Sequence, residues 1–138
     1  MSEDDKTMCL EPGRVGWNEL ITTDTADAAA FYGKLFGWKS VPFTPKGMPA
    51  GGAPYTIFKK DPNDEMGLAG MLPAPQPGMP SQWLPYVIVE NVDTALKQAE
   101  GLGARVLLPV TSIGEIGRIA VLQDPQGATI GLHESPKT

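Results

Sequence analysis

The order of secondary structure elements repeats within the chain, and this repeat limits the fold more than any other feature of the sequence. Each half predicts one strand, one helix and three further strands. A shift of 66 positions aligns four identical pairs: Trp17 with Trp83, Asp27 with Asp93, Ala29 with Ala95 and Gly37 with Gly103. Because the element order matches as well, a true repeat is favoured over a chance likeness of two amphipathic helices. We therefore predict an α+β protein built from two βαβββ modules.

The first module is predicted at residues 14–72, after a flexible N-terminal arm at 1–13. A strand at 17–22 ends at Thr23-Asp24-Thr25, whose side chains can accept hydrogen bonds from the first turn of a helix. That helix runs to Phe36, before Gly37, and the spacing predicts an inner face of Ala28, Phe31, Tyr32 and Leu35. The remaining strands are predicted at 38–43, 55–60 and 67–72.

The second module is predicted at residues 83–135, after a stiff proline-rich connector at 73–82. Its helix is predicted at 92–102, with Ala95, Leu96, Ala99 and Leu102 on the inner face and Gly103 as the stop. The strands are predicted at 84–89, 105–108, 118–123 and 128–134. The two modules together form one domain at 14–135.

Charge and cysteine content exclude several classes of partner. Sixteen acidic residues against eleven Lys and Arg give a net charge of −5, so we expect neither nucleic acid nor a membrane surface as a partner. No apolar run approaches the roughly 18 residues that a membrane span requires. Cys9 is the single cysteine, so no disulfide can form within the chain, and we expect a cytoplasmic protein.

Four segments of the sequence resemble those of a known superfamily. They are W-N-E-L-I-T-T-D-T-A-D-A-A-A-F-Y-G-K-L-F-G-W at 17–38, N-V-D-T-A at 91–95, G-A-R-V at 103–106 and L-Q-D-P-Q-G-A-T-I-G-L at 122–132. The chain resembles the vicinal oxygen chelate superfamily of glyoxalases, bleomycin resistance proteins and extradiol dioxygenases, and within it the glyoxalase-like branch of undefined activity. The resemblance covers 15–134 and implies that each module curls an antiparallel sheet into a half-open cup, which holds a metal ion or a ligand.

The resemblance also indicates where a metal ion would be bound. In metal-binding members, the first strand of each module supplies His or Gln and the last strand supplies Glu. These positions fall on Trp17, Gly70, Gly131 and Leu84, or on Trp83 if the register differs by one. None of these side chains offers a lone pair to a cation, and His133 is the single histidine, so we predict no metal and no cofactor. The metal-dependent glyoxalase and dioxygenase mechanisms therefore do not transfer.

The residues that replace the metal ligands favour an organic ligand. Gly70 and Gly131 are expected to leave room in the cup, while Trp17 and Trp83 supply flat apolar surface. Since side chains alternate along a strand, Glu19 is expected beside Trp17, and Tyr86 beside Leu84. By the same alternation, Thr129 and His133 flank Gly131.

Two of these polar residues are candidates for acid/base chemistry. Glu19 as a base and His133 as an acid are sufficient for metal-free proton transfer. Alternatively, Glu19 reaches solvent or pairs with Arg14 or Arg118, and His133 is a surface or core residue without a chemical role. Tyr86, Trp17 and Trp83 also have an alternative role as packing residues.

Two functions of different classes follow. The first is a metal-free binding protein for an apolar or aromatic small molecule, with Trp17, Gly70, Trp83, Leu84, Tyr86, Thr129 and Gly131 lining the cup. The second is a metal-independent lyase or isomerase that uses Glu19 and His133. Apart from these two functions, the sequence leaves open a metal site rebuilt from Glu19 and His133, with help from a second subunit. Because members of the superfamily often dimerise, a homodimer is expected.

Overall fold

The structure is a computed structural model, and it describes residues 11–44, 46, 55–74 and 77–136. Most of the predicted N-terminal arm, with Cys9, lies outside the described residues, as do residues 75 and 76 of the predicted connector. The described residues form an α+β fold in which the predicted βαβββ order occurs twice. Neither helix in these ranges has the length and apolar character needed to cross a membrane.

The first module consists of β1 (Val15–Thr22), α1 (Thr25–Phe36), β2 (Lys39–Phe43), β3 (Tyr55–Lys59) and β4 (Ala69–Pro73). The second consists of β5 (Gln82–Ile88), α2 (Val92–Gly101), β6 (Arg105–Ser112), β7 (Arg118–Gln123) and β8 (Thr129–Glu134), with one 3₁₀ turn (Gly114–Ile116) between β6 and β7.

The described residues separate into two compact units, whose boundaries fall inside β1 and β5. The first unit contains the described residues of 17–84 except Lys46, and the second contains Lys46, 11–16 and 85–136. The strand order is β2-β3-β4-β1 in the first module and β5-β8-β7-β6 in the second.

Each module has a mixed sheet, which differs from the wholly antiparallel sheet that the resemblance implied. Strands β2, β3 and β4 are antiparallel to their neighbours in this series, and so are β6, β7 and β8. In contrast, β1 runs parallel to β4, and β5 runs parallel to β8. The reason lies in the connections. A helix returns the chain in its original direction, and two further reversals leave the last strand parallel to the first.

Both helices begin and end largely where the sequence predicts. The Asp24 side chain accepts a hydrogen bond from the backbone N–H of Asp27, and the Asn91 side chain accepts one from that of Thr94. After α1, Gly37 adopts a left-handed conformation with φ of 77°, and its N–H bonds to the carbonyl of Gly33. The two modules therefore use the same means to start their helices.

The predicted inner face of α1 is wrong for two of its four residues. Phe31 and Leu35 are 57% and 58% exposed, whereas Ala28, Ala29 and Tyr32 pack against the core. Apolar residues occur on both sides of this helix, so the spacing did not select one face. That core is formed by buried side chains of three strands: Leu20, Phe58, Ala69 and Met71.

The inner face of α2 is predicted better. Leu96 is buried, and Ala95 and Ala99 pack beside it, against Ala120, Leu122 and Leu132. The prediction is wrong for Leu102, which is 72% exposed because the helix has already ended at Gly101.

Strand β6 continues past its predicted end at Leu108 to Ser112, with two register shifts on the way. Pro109 lacks the N–H that a central strand needs, so the sequence indicated a break there. Because β6 is the last strand in its order, the missing donor costs no interstrand bond on its outer side.

Candidate functional site

Strand β1 divides its side chains between two faces of the first unit. Leu20 points into the core beneath α1, together with Met71 of β4. Glu19 pairs in register with Gly70, and by the alternation of a strand it lies on the opposite face, with Trp17. The prediction that Glu19 lies beside Trp17 agrees with this arrangement.

Glu19 is a buried carboxylate, 9% exposed, and its Oε2 accepts a hydrogen bond of 3.0 Å from the Tyr55 hydroxyl. Of the two arginines considered as partners, Arg118 forms ion pairs with Glu134 and Asp93, and Arg14 forms one with Glu11. The uncharged hydroxyl of Tyr55 is thus one of the groups that hold this carboxylate.

Tyr55 joins the two predicted residues of this face. Its hydroxyl accepts a hydrogen bond of 2.9 Å from Trp17 Nε1 and donates the bond to Glu19. Burial raises the pKa of the Tyr55 hydroxyl above its usual value of 10.0, and the negative charge of Glu19 raises that pKa further. The hydroxyl consequently remains protonated at any physiological pH and acts as a donor.

The expectation that Gly70 leaves room is wrong. A Cβ atom at this position would collide with the hydroxyl end of the Tyr55 ring and with Trp17 Nε1, so the ring occupies the space above the glycine. Sequence reasoning missed Tyr55. In the antiparallel pair, Ile57 lies opposite Gly70, and Tyr55 is its neighbour two residues away on the same face. The available signal was a glycine on one strand with an aromatic residue diagonally opposite on the next. It could be used only if the pairing register of β3 with β4 was known.

Gly131 in the second unit has an analogous neighbour. A Cβ atom there would collide with the ring of Tyr86, which pairs with it in register from β5 and is buried. The space above this glycine is therefore also filled, and the expected room is absent. Thr129 lies two residues earlier, at the start of β8, opposite Gln123.

His133 has a backbone partner. Its Nε2 lies 2.7 Å from the carbonyl oxygen of Ile116. Since a carbonyl oxygen can only accept, Nε2 carries the proton and donates it to this bond. The ring must break the bond before this proton can reach a substrate.

Trp83 and Leu84 occupy opposite sides of β5. Trp83 is 39% exposed and donates from Nε1 to the Tyr32 hydroxyl at 3.1 Å, and its ring also contacts Trp38. It thus lies on the α1 side of the first unit, and its role in lining a ligand site stays a prediction. Leu84 is fully buried, and by alternation it points away from Trp83.

The side chains at the predicted ligand positions do not fit a metal ion. The indole N–H of Trp17 is a donor, Leu84 is aliphatic, and the space above the two glycines contains tyrosine rings. Within 11–44, 46, 55–74 and 77–136, no three His, Cys, Asp or Glu side chains are grouped so that they could hold a cation.

A separate surface groove of about 400 Å³ lies on the second unit. It is lined by residues of the chain before β1, the end of β5 and the first turns of α2, among them Pro12, Ile88, Asn91 and Gln98. None of the predicted site residues lines it.

Comparison with protein families identifies one match that spans both modules. The model of the glyoxalase-like domain matches residues 18–133. "Putative glyoxylase CFP32" of Mycobacterium tuberculosis is 33% identical over 123 residues, which are 89% of this chain and 46% of that protein. "Anthracycline biosynthesis protein DnrV" of Streptomyces peucetius is 32% identical over 132 residues, with 88% and 46% covered. The chain thus spans about half the length of these relatives.

Among solved structures, a variant of methylmalonyl-CoA epimerase from Streptomyces coelicolor in complex with 2-nitronate-propionyl-CoA has a similar fold. The TM-score is 0.59 at 17% identity, and the match covers 92% of this chain and all of the epimerase chain (100%). This likeness supports the glyoxalase-like fold, which the sequence predicted.

Proposed function

The chain belongs to the glyoxalase-like domain family, and from this premise we propose that it is a metal-independent isomerase or lyase that acts on a small carbonyl compound. Glu19 is the proposed base. The proposal carries forward the second of the two functions expected from the sequence, because the structure provides a buried carboxylate, Glu19, on the face of Trp17.

The proposal rests on one observation, the buried carboxylate of Glu19 in its bond to Tyr55. Burial of a carboxylate costs solvation free energy, which its hydrogen bonds must offset. Its partner in register on β4, Gly70, adds no side chain of its own. A carboxylate held in this way is suited to accept a proton from a bound molecule.

The proton transfer sets a limit on the substrate. Glu19 takes a proton from a carbon next to a carbonyl, the C–H bonding electrons move into the enolate, and the protonated Glu19 returns the proton to the same or the neighbouring carbon. A carboxylate is a weak base, and the proposed reaction uses no metal ion to stabilise the enolate. We therefore propose a C–H bond that is flanked by two carbonyl groups, because that carbon acid is stronger.

The comparisons support this choice of substrate class without establishing it. One relative carries the name of a putative glyoxylase, and the epimerase of similar fold is in complex with 2-nitronate-propionyl-CoA. Methylmalonyl-CoA, which has a carbon between two carbonyl groups, is accordingly the first compound to test.

His133 is not assigned the role of acid in this proposal. Its Nε2 proton is already bonded to the Ile116 carbonyl, so a single base that both removes and returns the proton is the simpler scheme. The proposal also includes a homodimer in the cytoplasm, as expected from the sequence. Light scattering of the purified protein will test whether it is a dimer.

The decisive experiment follows solvent exchange. Methylmalonyl-CoA is incubated with the protein in D₂O, and loss of its C–H signal is measured by proton NMR. We expect exchange that survives dialysis against EDTA, and a fall of roughly 10²- to 10⁴-fold in Glu19→Gln. Glu100→Gln, which changes an exposed carboxylate of α2, serves as the matched control and keeps the wild-type rate.

The outcomes separate the two functions. Exchange that Glu19→Gln leaves intact would exclude Glu19 as the base. Quenching of tryptophan fluorescence by the compound without any exchange would favour a binding protein, in which the half-buried indole of Trp17 lies at the ligand.

A further inference from the structure

We propose that Tyr55 is the positioning residue of the Glu19 site, and that Trp17 and Gly70 fix Tyr55 in that role. This inference rests on the proposed function only for its catalytic consequence. The three side-chain groups form one directed chain of hydrogen bonds, from Trp17 Nε1 to the Tyr55 hydroxyl at 2.9 Å and from that hydroxyl to Glu19 Oε2 at 3.0 Å.

The direction of the two bonds is determined by the chemistry of the groups. An indole nitrogen can only donate, and an ionised carboxylate can only accept, so the single hydroxyl proton of Tyr55 must point at Glu19. A hydroxyl that already accepts one hydrogen bond is a stronger donor in the next. The arrangement therefore holds one carboxylate oxygen in place and stabilises the charged form of Glu19.

Gly70 makes this arrangement possible. Its absent side chain lets the hydroxyl end of the Tyr55 ring approach the backbone of β4, opposite Glu19 in register. Even one methyl group at this position would overlap both the Tyr55 hydroxyl and Trp17 Nε1. A Gly70→Ala substitution is thus expected to push Tyr55 away from Glu19 without removing any polar group.

The same unit contains a second indole–phenol pair that lacks the carboxylate. Trp83 Nε1 donates to the Tyr32 hydroxyl at 3.1 Å, on the α1 side. This pair is a matched internal control, because it has the same two groups in the same order and a similar distance. A substitution of Glu19 must therefore change the environment of the Trp17 indole and leave that of the Trp83 indole unchanged.

The test uses the full chain and needs no ligand. Indole N–H signals are recorded by ¹H–¹⁵N NMR, and Trp17 and Trp83 are assigned with Trp17→Phe and Trp83→Phe. We expect Glu19→Gln to move the Trp17 signal, although the two residues share no direct hydrogen bond in the chain described above. Tyr55→Phe and Gly70→Ala should move the same signal further, while Trp38 and Trp83 stay in place. Tyr32→Phe should move Trp83 and leave Trp17 unchanged.

Two results would overturn the inference. One is a Trp17 signal that does not respond to Glu19→Gln; the other is an equal response of all three indoles, which would indicate a general change of structure. Glu19→Gln is nearly isosteric, so this test remains decisive even if Tyr55→Phe does not fold. Gly101→Ala, at a helix position with open space, is the control for Gly70→Ala.

The catalytic consequence is measured in the exchange assay. Loss of a hydrogen bond to a charged group predicts a fall of kcat by roughly 10- to 100-fold in Tyr55→Phe, with KM unchanged, and no change in Tyr32→Phe. A rise of KM alone would show that Tyr55 binds substrate instead of positioning Glu19. If the wild-type protein catalyses no exchange, the proposed function fails, and the NMR response still decides whether the hydrogen-bond chain exists.

Discussion

The two modules share one packing arrangement but form it with different strands. In each, a glycine of the last strand lies beneath a tyrosine ring, Gly70 beneath Tyr55 and Gly131 beneath Tyr86. In the first module the tyrosine belongs to β3 and bonds to a buried carboxylate, whereas in the second it belongs to β5 and pairs in register with the glycine. Both modules thus pack a tyrosine ring over a glycine of the last strand, but the two rings come from non-equivalent strands.

The helices differ in a similar way. Their N-terminal caps are equivalent, but α2 has two buried residues, Val92 and Leu96, whereas α1 has none. The N-terminus of α2 is also tied to β8, because Glu134 accepts a hydrogen bond from the N–H of Val92 and two from Arg118. The two helices therefore contribute to stability by unequal amounts.

The largest expected effect tests whether α2 contributes more to stability than α1. Leu96→Ala should lower the free energy of unfolding by about 2–5 kcal/mol, because it opens a cavity between α2 and the sheet. Leu35→Ala, in the exposed position on α1, should change it by less than about 0.5 kcal/mol. Urea denaturation measures both, and equal losses would contradict the difference between the helices.

The next effect compares the two glycines that lie beneath tyrosine rings, Gly70 and Gly131. Gly131→Ala should destabilise the protein by about 1–3 kcal/mol, since the new methyl group overlaps the ring of a buried tyrosine that has little space to move. Gly70→Ala should cost less, because Tyr55 is only half-buried and the contact is at the end of its side chain. A larger loss of stability in Gly70→Ala than in Gly131→Ala, in the same denaturation experiment, would show that the space above Gly70 is the tighter of the two.

A third effect depends on pH. The pKa of Tyr55 is raised in the folded state above the value of 10.0 expected in the unfolded chain, so the unfolded chain ionises first. The stabilisation is complete below pH 10 and is lost as pH rises further, at up to about 1.4 kcal/mol per pH unit. Alkaline denaturation should therefore start at higher pH in Tyr55→Phe. An unchanged profile would mean that Tyr55 ionises freely in the native protein.

The smallest expected effect concerns the helix N-caps, which the two modules have in common. Asp24→Ala and Asn91→Ala each remove a side chain that accepts one hydrogen bond at the start of a helix, and each should cost about 1 kcal/mol. Thermal denaturation of the two variants compares the caps directly. A cost at only one of them would show that the equivalent geometry does not carry equivalent energy.

Much of this fold follows from local sequence signals. The caps Asp24 and Asn91, the stop at Gly37 and the strand at 118–123 are determined by residues close together in the chain, and the prediction of each is confirmed. The inner face of α1 depends on which of two apolar sides meets the sheet, and no local pattern decides that.

The candidate site was predictable in part for the same reason. Alternation along one strand is enough to place Glu19 beside Trp17. Tyr55 comes from a strand 36 residues away, so its bond to Glu19 requires the pairing register of β3 with β4 and of β4 with β1. The size of the space above Gly70 likewise depends on a neighbour that the sequence of β4 does not specify.

One end strand of each module's order, β2 in the first and β6 in the second, contains a proline, Pro42 and Pro109 respectively. An incoming chain that tried to extend either sheet would find a missing amide donor, and on β6 also two irregular steps in the backbone. The protein should consequently resist edge-to-edge aggregation at high concentration, and replacement of Pro109 by a β-branched residue would remove one of these barriers.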